Sequence, residues 1–359
     1  MEYYCGKILQ LSKVTTMIKV GIIGAGRMGI THYSILNSHP EVKITSVADT
    51  SGMVLYMMKK YLAGLTTFKD YKKLIEEDKP DALIVSTPPN LHYPILKLAA
   101  NNNIHVFVEK PYTNNYMHAS ELAEIFRTKG LVNQVGYVNR FNDVFKMVKR
   151  IVEADVIGKI IRYRSEMFSC TITKPDDGSG WRGTRETGGG VIYEMSSHAI
   201  DLVNYIVGKP DKVIGTSYNS VYSKNVEDIV SSTFLYSSGT VGSIYINWCD
   251  ESYRKPTNKI ELFGAKGKIL ADQYGFKIFL KEENKMLGYR KGWNTIYITD
   301  IFEPVPFYVR GNEFTSQLYH FVDCILGKQK TNVCTFEDGA KTLDVIQKMF
   351  TDYESKSGM

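Results

Sequence analysis

The stretch Lys19-Val20-Gly21-Ile22-Ile23-Gly24-Ala25-Gly26-Arg27-Met28-Gly29 decides the fold of this chain. An apolar strand passes directly into three glycines with the spacing G-x-G-x-x-G, and a helix follows. Gly24 permits the tight turn, Gly26 lets a phosphate approach the backbone, and Gly29 lets the helix pack close to the strand. The free N–H groups at the start of the helix, predicted over Arg27–Asn37, favour an anion. Taken alone, the motif is as typical of a plain glycine-rich turn as of a dinucleotide site.

Composition limits the class of protein. The chain has 359 residues, of which 43% are apolar and 23% charged, so two globular domains with substantial cores are expected. The net charge of +6 comes from dispersed Lys and Arg rather than a basic block, and it does not indicate nucleic-acid binding. No apolar run approaches the length of a membrane-spanning helix, so no membrane partner is expected.

The cysteines and the first residues bear on location. The five cysteines form no C-x-x-C pair, which argues against a disulfide framework or a zinc site and for a reducing, cytoplasmic compartment. We therefore expect no metal site. Residues 1–16 lack the apolar core and the cleavage site of a signal peptide. We expect them to be a disordered extension, and the alternative is an over-called translation start, since Met17 directly precedes the first predicted strand.

Strands and helices alternate through residues 17–141. Strands are predicted over 18–23, 42–48, 81–86, 104–108 and 131–136, and helices over 27–37, 52–61, 70–77, 92–101 and 115–129. This alternation predicts a doubly wound parallel sheet of the Rossmann type, in which ligands bind at the carboxyl ends of strands. Four candidate site residues follow such ends, namely Gly24, Asp49, Thr87 and Lys110.

Asp49 indicates which dinucleotide binds. It ends the second predicted strand, 20 residues past Gly29, where a carboxylate can accept hydrogen bonds from both adenosine ribose hydroxyls. The same charge repels a 2′-phosphate, and no arginine follows at 50–52 to accommodate one. The sequence therefore favours NAD over NADP. The alternative is an aspartate that only caps the helix predicted over 52–61.

Residues 142–359 have a different pattern, which predicts an α+β domain with a large, mainly antiparallel sheet. Helices are predicted over 142–154, 194–207, 312–326 and 337–353. Strands are predicted over 159–169, 212–219, 229–236, 240–248, 258–263, 267–272, 275–281 and 295–299. A glycine-rich loop over 176–190 separates the first strand from the helix at 194–207. We assign this domain to substrate binding and oligomerisation.

An apolar alternation in two of these strands suggests how subunits associate. We predict that one face of the sheet lines a cleft and that the other face exposes Val230, Thr233, Leu235, Val241, Ile244 and Ile246. An apolar face of this kind must be covered. The expectation is a homodimer or homotetramer that forms through the second-domain sheet.

The chain as a whole resembles the Gfo/Idh/MocA family of nicotinamide-dependent oxidoreductases. The motifs that carry the resemblance are Gly24–Gly29, Asp49, Thr87-Pro88-Pro89-Asn90-Leu91-His92, Glu109-Lys110-Pro111, Gly136–Phe141, Trp181-Arg182, Gly188-Gly189-Gly190, His198–Leu202 and Phe336–Gly339. The family implies a Rossmann domain, a second domain built on a sheet, and a substrate cleft between them. It also implies a sugar, inositol or nucleotide-sugar substrate.

The resemblance assigns catalytic residues. The lysine of the family's E-K-P motif corresponds to Lys110, and the D-x-x-x-H pair corresponds to Glu194 and His198. Glu194 departs from the family, where aspartate is more common, and this leaves the substrate subclass open. The carboxylate would fix the His198 tautomer or bind a substrate hydroxyl, or else only favour the helix start. A cis bond before Pro111 is expected to aim Lys110 into the cleft.

The remaining site residues are assigned by their position near these motifs. The residues assigned to the cofactor are Gly24, Gly26, Arg27, Met28, Gly29, Asp49, Thr87, Pro88, Asn90, His92, Glu109 and Lys110. Those assigned to the substrate are Lys110, Arg140, Trp181, Arg182, Glu194 and His198. Three alternatives stay open: His92 caps a helix, Arg140 forms an interdomain salt bridge, and Asp201 either contacts substrate or anchors its helix.

These residues together predict an NAD-dependent dehydrogenase or reductase of a sugar or polyol. Oxidation of a secondary alcohol needs a base and a group that donates to the oxygen, which His198 and Lys110 would supply. Two other functions remain possible. An NAD-dependent glycosidase of the same fold would cleave a glycoside without net NADH, and a non-catalytic NAD-binding regulator would have no use for Lys110 and His198 together.

Overall fold

The first part of the chain builds a six-stranded parallel sheet. The computed structural model describes residues 17–175 and 178–357, and the expected extension at 1–16 lies outside the described residues. The strands are β1 (Ile18–Ile23), β2 (Val42–Ala48), β3 (Thr66–Phe68), β4 (Ala82–Val85), β5 (His105–Val108) and β6 (Asn133–Val135). Their order is β3-β2-β1-β4-β5-β6, and every neighbouring pair is parallel.

Helices cover both faces of this sheet, because successive strand residues point to opposite sides. The helices are α1 (Arg27–Leu36), α2 (Gly52–Tyr61), α3 (Tyr71–Lys73, continued by a π turn at Leu74–Asp78), α4 (His92–Asn101) and α5 (Tyr116–Thr128). Ile22 and Ile84 pack in one core with α1 and α2, whereas Ile23 and Val85 pack in the other with α4 and α5. The strand order reverses between β1 and β4, which is where such sheets bind ligands.

The second sheet has eight strands and is antiparallel except for one pair. The strands are β7 (Ile160–Phe168), β8 (Lys212–Asn219), β9 (Ile229–Leu235), β10 (Val241–Asn247), β11 (Thr257–Gly264), β12 (Gly267–Asp272), β13 (Gly275–Leu280) and β14 (Gly292–Tyr297). Their order is β14-β13-β12-β11-β7-β10-β9-β8, and β7 and β10 are parallel. This mixture of a parallel sheet and a mainly antiparallel one confirms the predicted fold class.

Three helices pack on one face of the second sheet and leave the other open. These helices are α6 (Asp143–Glu153), α7 (Ser197–Ile206) and α10 (Phe336–Ser357). The apolar alternation predicted for the open face is wrong, because it mixed side chains from both faces. Val230, Ile244 and Ile246 are buried beneath the helices, and only Thr233, Leu235 and Val241 point to the open face.

The last part of the chain returns to the first sheet. After β14 come α8 (Ile298–Ile301) and α9 (Asn312–Ile325). Leu318 and Phe321 of α9 pack in the same core as Ile22, and the Phe321 ring lies 6.1 Å from that of Phe107. The final helix α10 packs along α5 and α7. The domain boundary at residue 142 stays a prediction. Helix α9 follows that boundary in the chain but packs in the core of the first sheet.

Two local predictions differ from the structure. Strand β3 was not predicted, because it has only three residues, too few to show an alternation. The strand predicted over 295–299 ends at Tyr297, and Ile298 begins α8, where Asp300 accepts a hydrogen bond from the Tyr297 amide at 2.8 Å. Within 17–175 and 178–357, no three His, Cys, Asp or Glu side chains are grouped to hold a metal ion. No helix of these ranges is long and apolar enough to cross a membrane.

Candidate active site

The three glycines between β1 and α1 have different roles. Gly24 has a φ of +91°, and a Cβ at Gly29 would collide with the Gly24 carbonyl oxygen. A Cβ at Gly26 would meet no atom within 4 Å. The fold therefore requires Gly24 and Gly29, whereas Gly26 leaves space for something other than protein. Among the described residues no side chain caps the start of α1, so its first N–H groups are available to an anion. The site fits a dinucleotide pyrophosphate.

Asp49 lies half-buried beside this loop and is held by the backbone. Its Oδ2 accepts from the Ala25 amide at 2.7 Å, and its Oδ1 accepts from the Ser51 amide at 2.8 Å. Helix α2 is capped by Ser51, whose hydroxyl accepts from the Val54 amide at 3.4 Å. Asp49 is therefore not the N-cap residue, and each of its oxygens keeps a lone pair for a ribose hydroxyl.

His92 joins the turns that follow β4 and β5. The side chain is fully buried, with Nε2 2.8 Å from the Thr87 carbonyl oxygen and Nδ1 3.1 Å from that of Pro111. Burial lowers the pKa of His92, although the two carbonyls act in the opposite direction. Both ring nitrogens face the backbone, so His92 holds the two turns together. Thr87 Oγ1 is buried and has no partner among the described residues, while Asn90 is exposed.

Glu109 lies under the site and contacts α1. Its Oε1 is 2.7 Å from Nε2 of the fully buried His32, and its Oε2 accepts from the Lys110 amide at 3.3 Å. Burial by itself would raise the pKa of Glu109, but the His32 contact and the charge of Lys110 lower it overall. Glu109 is therefore an anion that ties the end of β5 to the helix after the glycine loop.

Lys110 is largely buried and is paired with Glu194. Its Nζ donates to the Glu194 carbonyl oxygen at 2.7 Å and to Glu194 Oε2 at 3.0 Å. The Lys110–Pro111 bond is cis, as expected. An ammonium group has three N–H donors. Two of these donors form hydrogen bonds to Glu194, and the third is available to donate to an oxygen of a bound molecule.

Glu194 lies in a π turn, Ile192–Ser196, that precedes α7. The helix predicted over 194–207 therefore begins with wider winding, a feature that is frequent at functional sites. Glu194 Oε1 lies 3.4 Å from Arg182 Nη2, and the Arg182 guanidinium lies 4.4 Å from the Trp181 ring centroid. Glu194 thus contacts two cationic side chains, Lys110 and Arg182. Within the described parts of the chain, no hydrogen bond joins Glu194 to His198.

His198 lies in the first turn of α7 and is half-buried. Its ring lies nearly perpendicular to that of Tyr137, with 6.1 Å between ring centroids. Burial and the nearby charge of Lys110 hold the pKa of His198 well below its usual value. The imidazole is therefore neutral at pH 7 and able to accept a proton.

Arg140 forms a buried ion pair behind this helix. Its Nη2 lies 2.8 Å from Asp201 Oδ1, its Nη1 lies 3.2 Å from Asp338 Oδ2, and its side chain is only 5% exposed. Burial raises the pKa of Asp201 to about 6, although Arg140 opposes the shift. These contacts agree with the interdomain salt bridge that the sequence left open, and they show Asp201 anchoring α7. Substrate binding by Arg140 stays a prediction.

The glycine-rich segment folds back over the first sheet. Asn114 Nδ2 donates to the Glu186 carbonyl oxygen at 2.6 Å, and Tyr193 Oη donates to the Asn114 carbonyl oxygen at 3.1 Å. Gly188, with a φ of +87°, lies against the Pro89 ring, where a Cβ would come within 2.9 Å. Residues 176–177 of the predicted loop lie outside the described ranges. These contacts bring Glu194 over the ends of β4 and β5.

Sequence reasoning missed Glu227, which supports this segment. Glu227 is almost fully buried, and its Oε1 accepts from the Ile192 amide at 3.1 Å while its Oε2 lies 3.4 Å from Arg185 Nη2. Burial raises the pKa of Glu227, and the two contacts oppose the shift. Glu227 therefore fixes the start of the π turn that carries Glu194. The available signal was an acidic residue just before the apolar strand β9.

Two family models match the chain. One is the Gfo/Idh/MocA model, which matches residues 18–137. Its description is an oxidoreductase family with an NAD-binding Rossmann fold. The model of the Gfo/Idh/MocA C-terminal domain matches residues 145–270. Together they cover more than half of the chain, including Lys110, Glu194 and His198.

Curated proteins and solved structures are similar to this chain over most of its length. Myo-inositol 2-dehydrogenase of Thermotoga maritima is 27% identical over 71% of this chain and 75% of its own. The scyllo-inositol 2-dehydrogenase (NAD(+)) of Bacillus subtilis is 25% identical over 91% of this chain and 92% of its own. Levoglucosan dehydrogenase, solved with NADH and levoglucosan, superposes with a TM-score of 0.83 at 18% identity, over 94% of this chain and 97% of that chain.

Proposed function

Because this chain belongs to the Gfo/Idh/MocA family of NAD-dependent oxidoreductases, we propose that its substrate is a secondary alcohol of a sugar, inositol or nucleotide sugar. The observation that carries the proposal is the convergence of Lys110, Glu194 and a neutral His198 at the strand ends beside the glycine loop. The two inositol dehydrogenases among the relatives support a polyol substrate.

Each residue has a role in this chemistry. NAD, when bound, would supply the acceptor for the hydride that leaves the alcohol carbon. The free N–H of Lys110 donates to the hydroxyl oxygen and stabilises the negative charge that develops there. His198 accepts the hydroxyl proton as a general base, because its imidazole is neutral. Glu194 orients the Lys110 ammonium through the contact at 3.0 Å.

The rim of the cleft supplies further contacts for a sugar. Trp181 and Arg182 stack on one another at the cleft mouth, with the guanidinium 4.4 Å from the ring. An aromatic face binds the apolar side of a sugar ring, and the guanidinium fork donates to hydroxyls. We assign Trp181 and Arg182 to substrate binding.

A substrate screen tests the proposal. The purified protein is mixed with sugars, inositols and UDP-sugars in the presence of NAD or NADP, and absorbance of the reduced cofactor is followed. Expected is reduction of NAD by at least one of these alcohols, with slower reduction of NADP because of Asp49. Consumption of a glycoside without net NADH would instead indicate the NAD-dependent glycosidase. NADH binding with no turnover of any compound would favour the regulator.

The open face of the second sheet is the proposed subunit interface. Large aromatic side chains point outward from it and are exposed, among them Trp293 at 53% and Tyr297 at 62%. Covering this face with a second copy would remove these rings from water. We expect a homodimer or homotetramer in light scattering, and a weaker assembly for Trp293→Glu. A wild-type monomer at micromolar concentration would contradict the proposal.

The cysteines support a cytoplasmic location. Cys170, Cys249, Cys324 and Cys334 are free thiols, and burial raises the pKa of the fully buried Cys334. Free thiols persist in a reducing compartment. Fractionation of cells that express the protein at its native level, with immunodetection, tests this location, and recovery in a secreted fraction would contradict it.

A further inference from the structure

The segment that leads into α9 crosses from the second sheet to the first turn of α1. At its end, Arg310 Nη1 lies 3.4 Å from Met28 Sδ, although 282 residues separate the two in the chain. The guanidinium also lies 5.1 Å from the ring centroid of Phe314, which is in the first turn of α9. Arg310 is therefore held beside the glycine loop, on a segment that no expectation from the sequence assigned to the cofactor.

The charges around Arg310 are unbalanced. Burial and repulsion by Arg27 lower the pKa of Arg310, whereas Glu109 opposes the shift. Arg310 thus lies within electrostatic reach of Arg27, at the start of α1, and of Glu109, beside Lys110. Neither Arg27 nor Arg310 forms a salt bridge with a carboxylate in the part of the chain that the structure describes. Two arginines are therefore found at the positive end of α1: Arg27 begins the helix directly after Gly26, and Arg310 contacts Met28 in its first turn.

We propose that Arg310 binds the pyrophosphate of NAD from the side opposite the glycine loop. The two phosphate charges would balance Arg27 and Arg310, and the planar guanidinium fork matches the geometry of phosphate oxygens. Because Arg310 follows the second sheet and Gly26 belongs to the first, the cofactor would link both parts of the molecule. The inference concerns NAD binding and does not depend on which alcohol is the substrate.

Calorimetric titration of the full-length protein tests this inference. The variants are Arg310→Gln, Arg310→Lys and a control, Arg290→Gln, which removes an exposed arginine elsewhere. The ligands are NADH and ADP-ribose, which share the pyrophosphate but differ at the nicotinamide. Charge-assisted hydrogen bonds of this kind correspond to about tenfold to hundredfold in affinity. The affinity of Arg310→Gln for NADH and for ADP-ribose should both be lower than that of the wild type by this factor. The affinity of the variant should also depend less on salt concentration than that of the wild type.

The other outcomes are distinct. Arg310→Lys should recover part of the affinity, since it keeps the charge and loses the fork, and the control should bind like the wild type. The unfolding temperatures without ligand should match, which separates a binding role from a structural one. Unchanged affinity in Arg310→Gln, or a loss for NADH but not for ADP-ribose, would overturn the inference. Failure of the wild type to bind NADH would instead overturn the assignment of the cofactor.

Hydrogen exchange provides a second readout. If Arg310 holds the pyrophosphate, NADH should slow exchange in the backbone of 307–311 in the wild type and not in Arg310→Gln. Protection of this segment in both proteins would contradict a direct contact, because the segment would then respond to the cofactor without its arginine.

Discussion

Lys110 donates two hydrogen bonds to Glu194, one to its carbonyl oxygen at 2.7 Å and one to its carboxylate at 3.0 Å. The two residues are 84 positions apart in the chain. Lys110 follows β5 of the first sheet, and Glu194 lies between β7 and β8 of the second sheet, so this double contact joins the two parts of the chain. Because two of its donors are used by protein, the ammonium is oriented before any substrate binds. Preorganisation of this kind is the main way in which a protein lowers a barrier by electrostatics.

Replacement of Lys110 should abolish turnover without abolishing cofactor binding. In Lys110→Met, the hydroxyl oxygen loses its donor and its positive charge, so kcat should fall by about 10³-fold. Any loss of NADH affinity should be much smaller than the loss of kcat, because the glycine loop and Asp49 are intact even if Lys110 also contacts the cofactor. Steady-state kinetics and NADH titration measure the two effects. Lys97→Met, which removes an exposed lysine paired with Glu121, is the matched control. Near-normal kcat in Lys110→Met would contradict the proposed role.

The Lys110 charge should also be visible in the titration of His198. Two causes lower the pKa of His198, and Lys110→Met removes one of them, so its pKa should rise toward about 6.5. An NMR titration of the histidine resonances measures the change. His39, whose pKa is lowered by burial and which is influenced by Glu41 and Lys328 instead, should titrate as before. An unchanged His198 would show that the two residues do not share one site.

The same pKa predicts how activity depends on pH. The base must be neutral, and a neutral imidazole is the form present above its pKa, so activity is lost as pH falls through that value. Since the pKa of His198 is well below its usual value of about 6.5, kcat/KM for alcohol oxidation should show no acidic loss as the pH falls from about 8 to that usual value. His198→Asn should be slow throughout and lack the acidic limb. Loss of activity already at pH 7 would contradict a neutral His198.

The glycines should separate folding from cofactor binding. Gly26→Ala places a methyl group where no protein atom lies within 4 Å, at a φ of −70° that alanine tolerates. Its unfolding temperature should therefore equal that of the wild type, while NADH affinity falls by about tenfold or more. Gly29→Ala should be unstable, because its methyl collides with the Gly24 carbonyl. Wild-type NADH affinity in Gly26→Ala would show that the pyrophosphate lies elsewhere.

The buried pair of Arg140 and Asp201 should matter for stability. Arg140→Met leaves an uncompensated carboxylate at Asp201, which is 1% exposed, so the free energy of unfolding should fall by about 3–5 kcal/mol. Urea unfolding measures this loss. Arg127→Met, which breaks the exposed pair of Arg127 with Glu124, should leave the free energy of unfolding nearly unchanged, because both groups are in water. If Arg140 also binds substrate, the KM for the substrate should rise in the folded Arg140→Met protein. An unchanged KM would show that Arg140 only stabilises the fold through its ion pair with Asp201.

The sequence by itself determined the fold class, the glycine loop, Asp49 and the catalytic candidates. These features are carried by residues close together in the chain, since strand and helix periods, glycine spacing and strand-end positions are local patterns. The same locality explains what failed. β3 is too short to have a period. The face of β9 and β10 was misread because Val230 and Thr233, and likewise Val241 and Ile244, are three positions apart, and residues of a strand that share a face are two apart.

Only the tertiary structure decided which side chains meet. The ion pair of Arg140 joins residues 61 positions apart, Arg310 reaches Met28 across 282 positions, and Glu227 lies beneath the Gly190 turn. Whether a charged residue faces solvent, a cofactor or another charge depends on the packing of distant elements, and local sequence does not encode that packing. For this reason the sequence named Lys110, Glu194 and His198, and the fold showed that Lys110 is the residue that connects them.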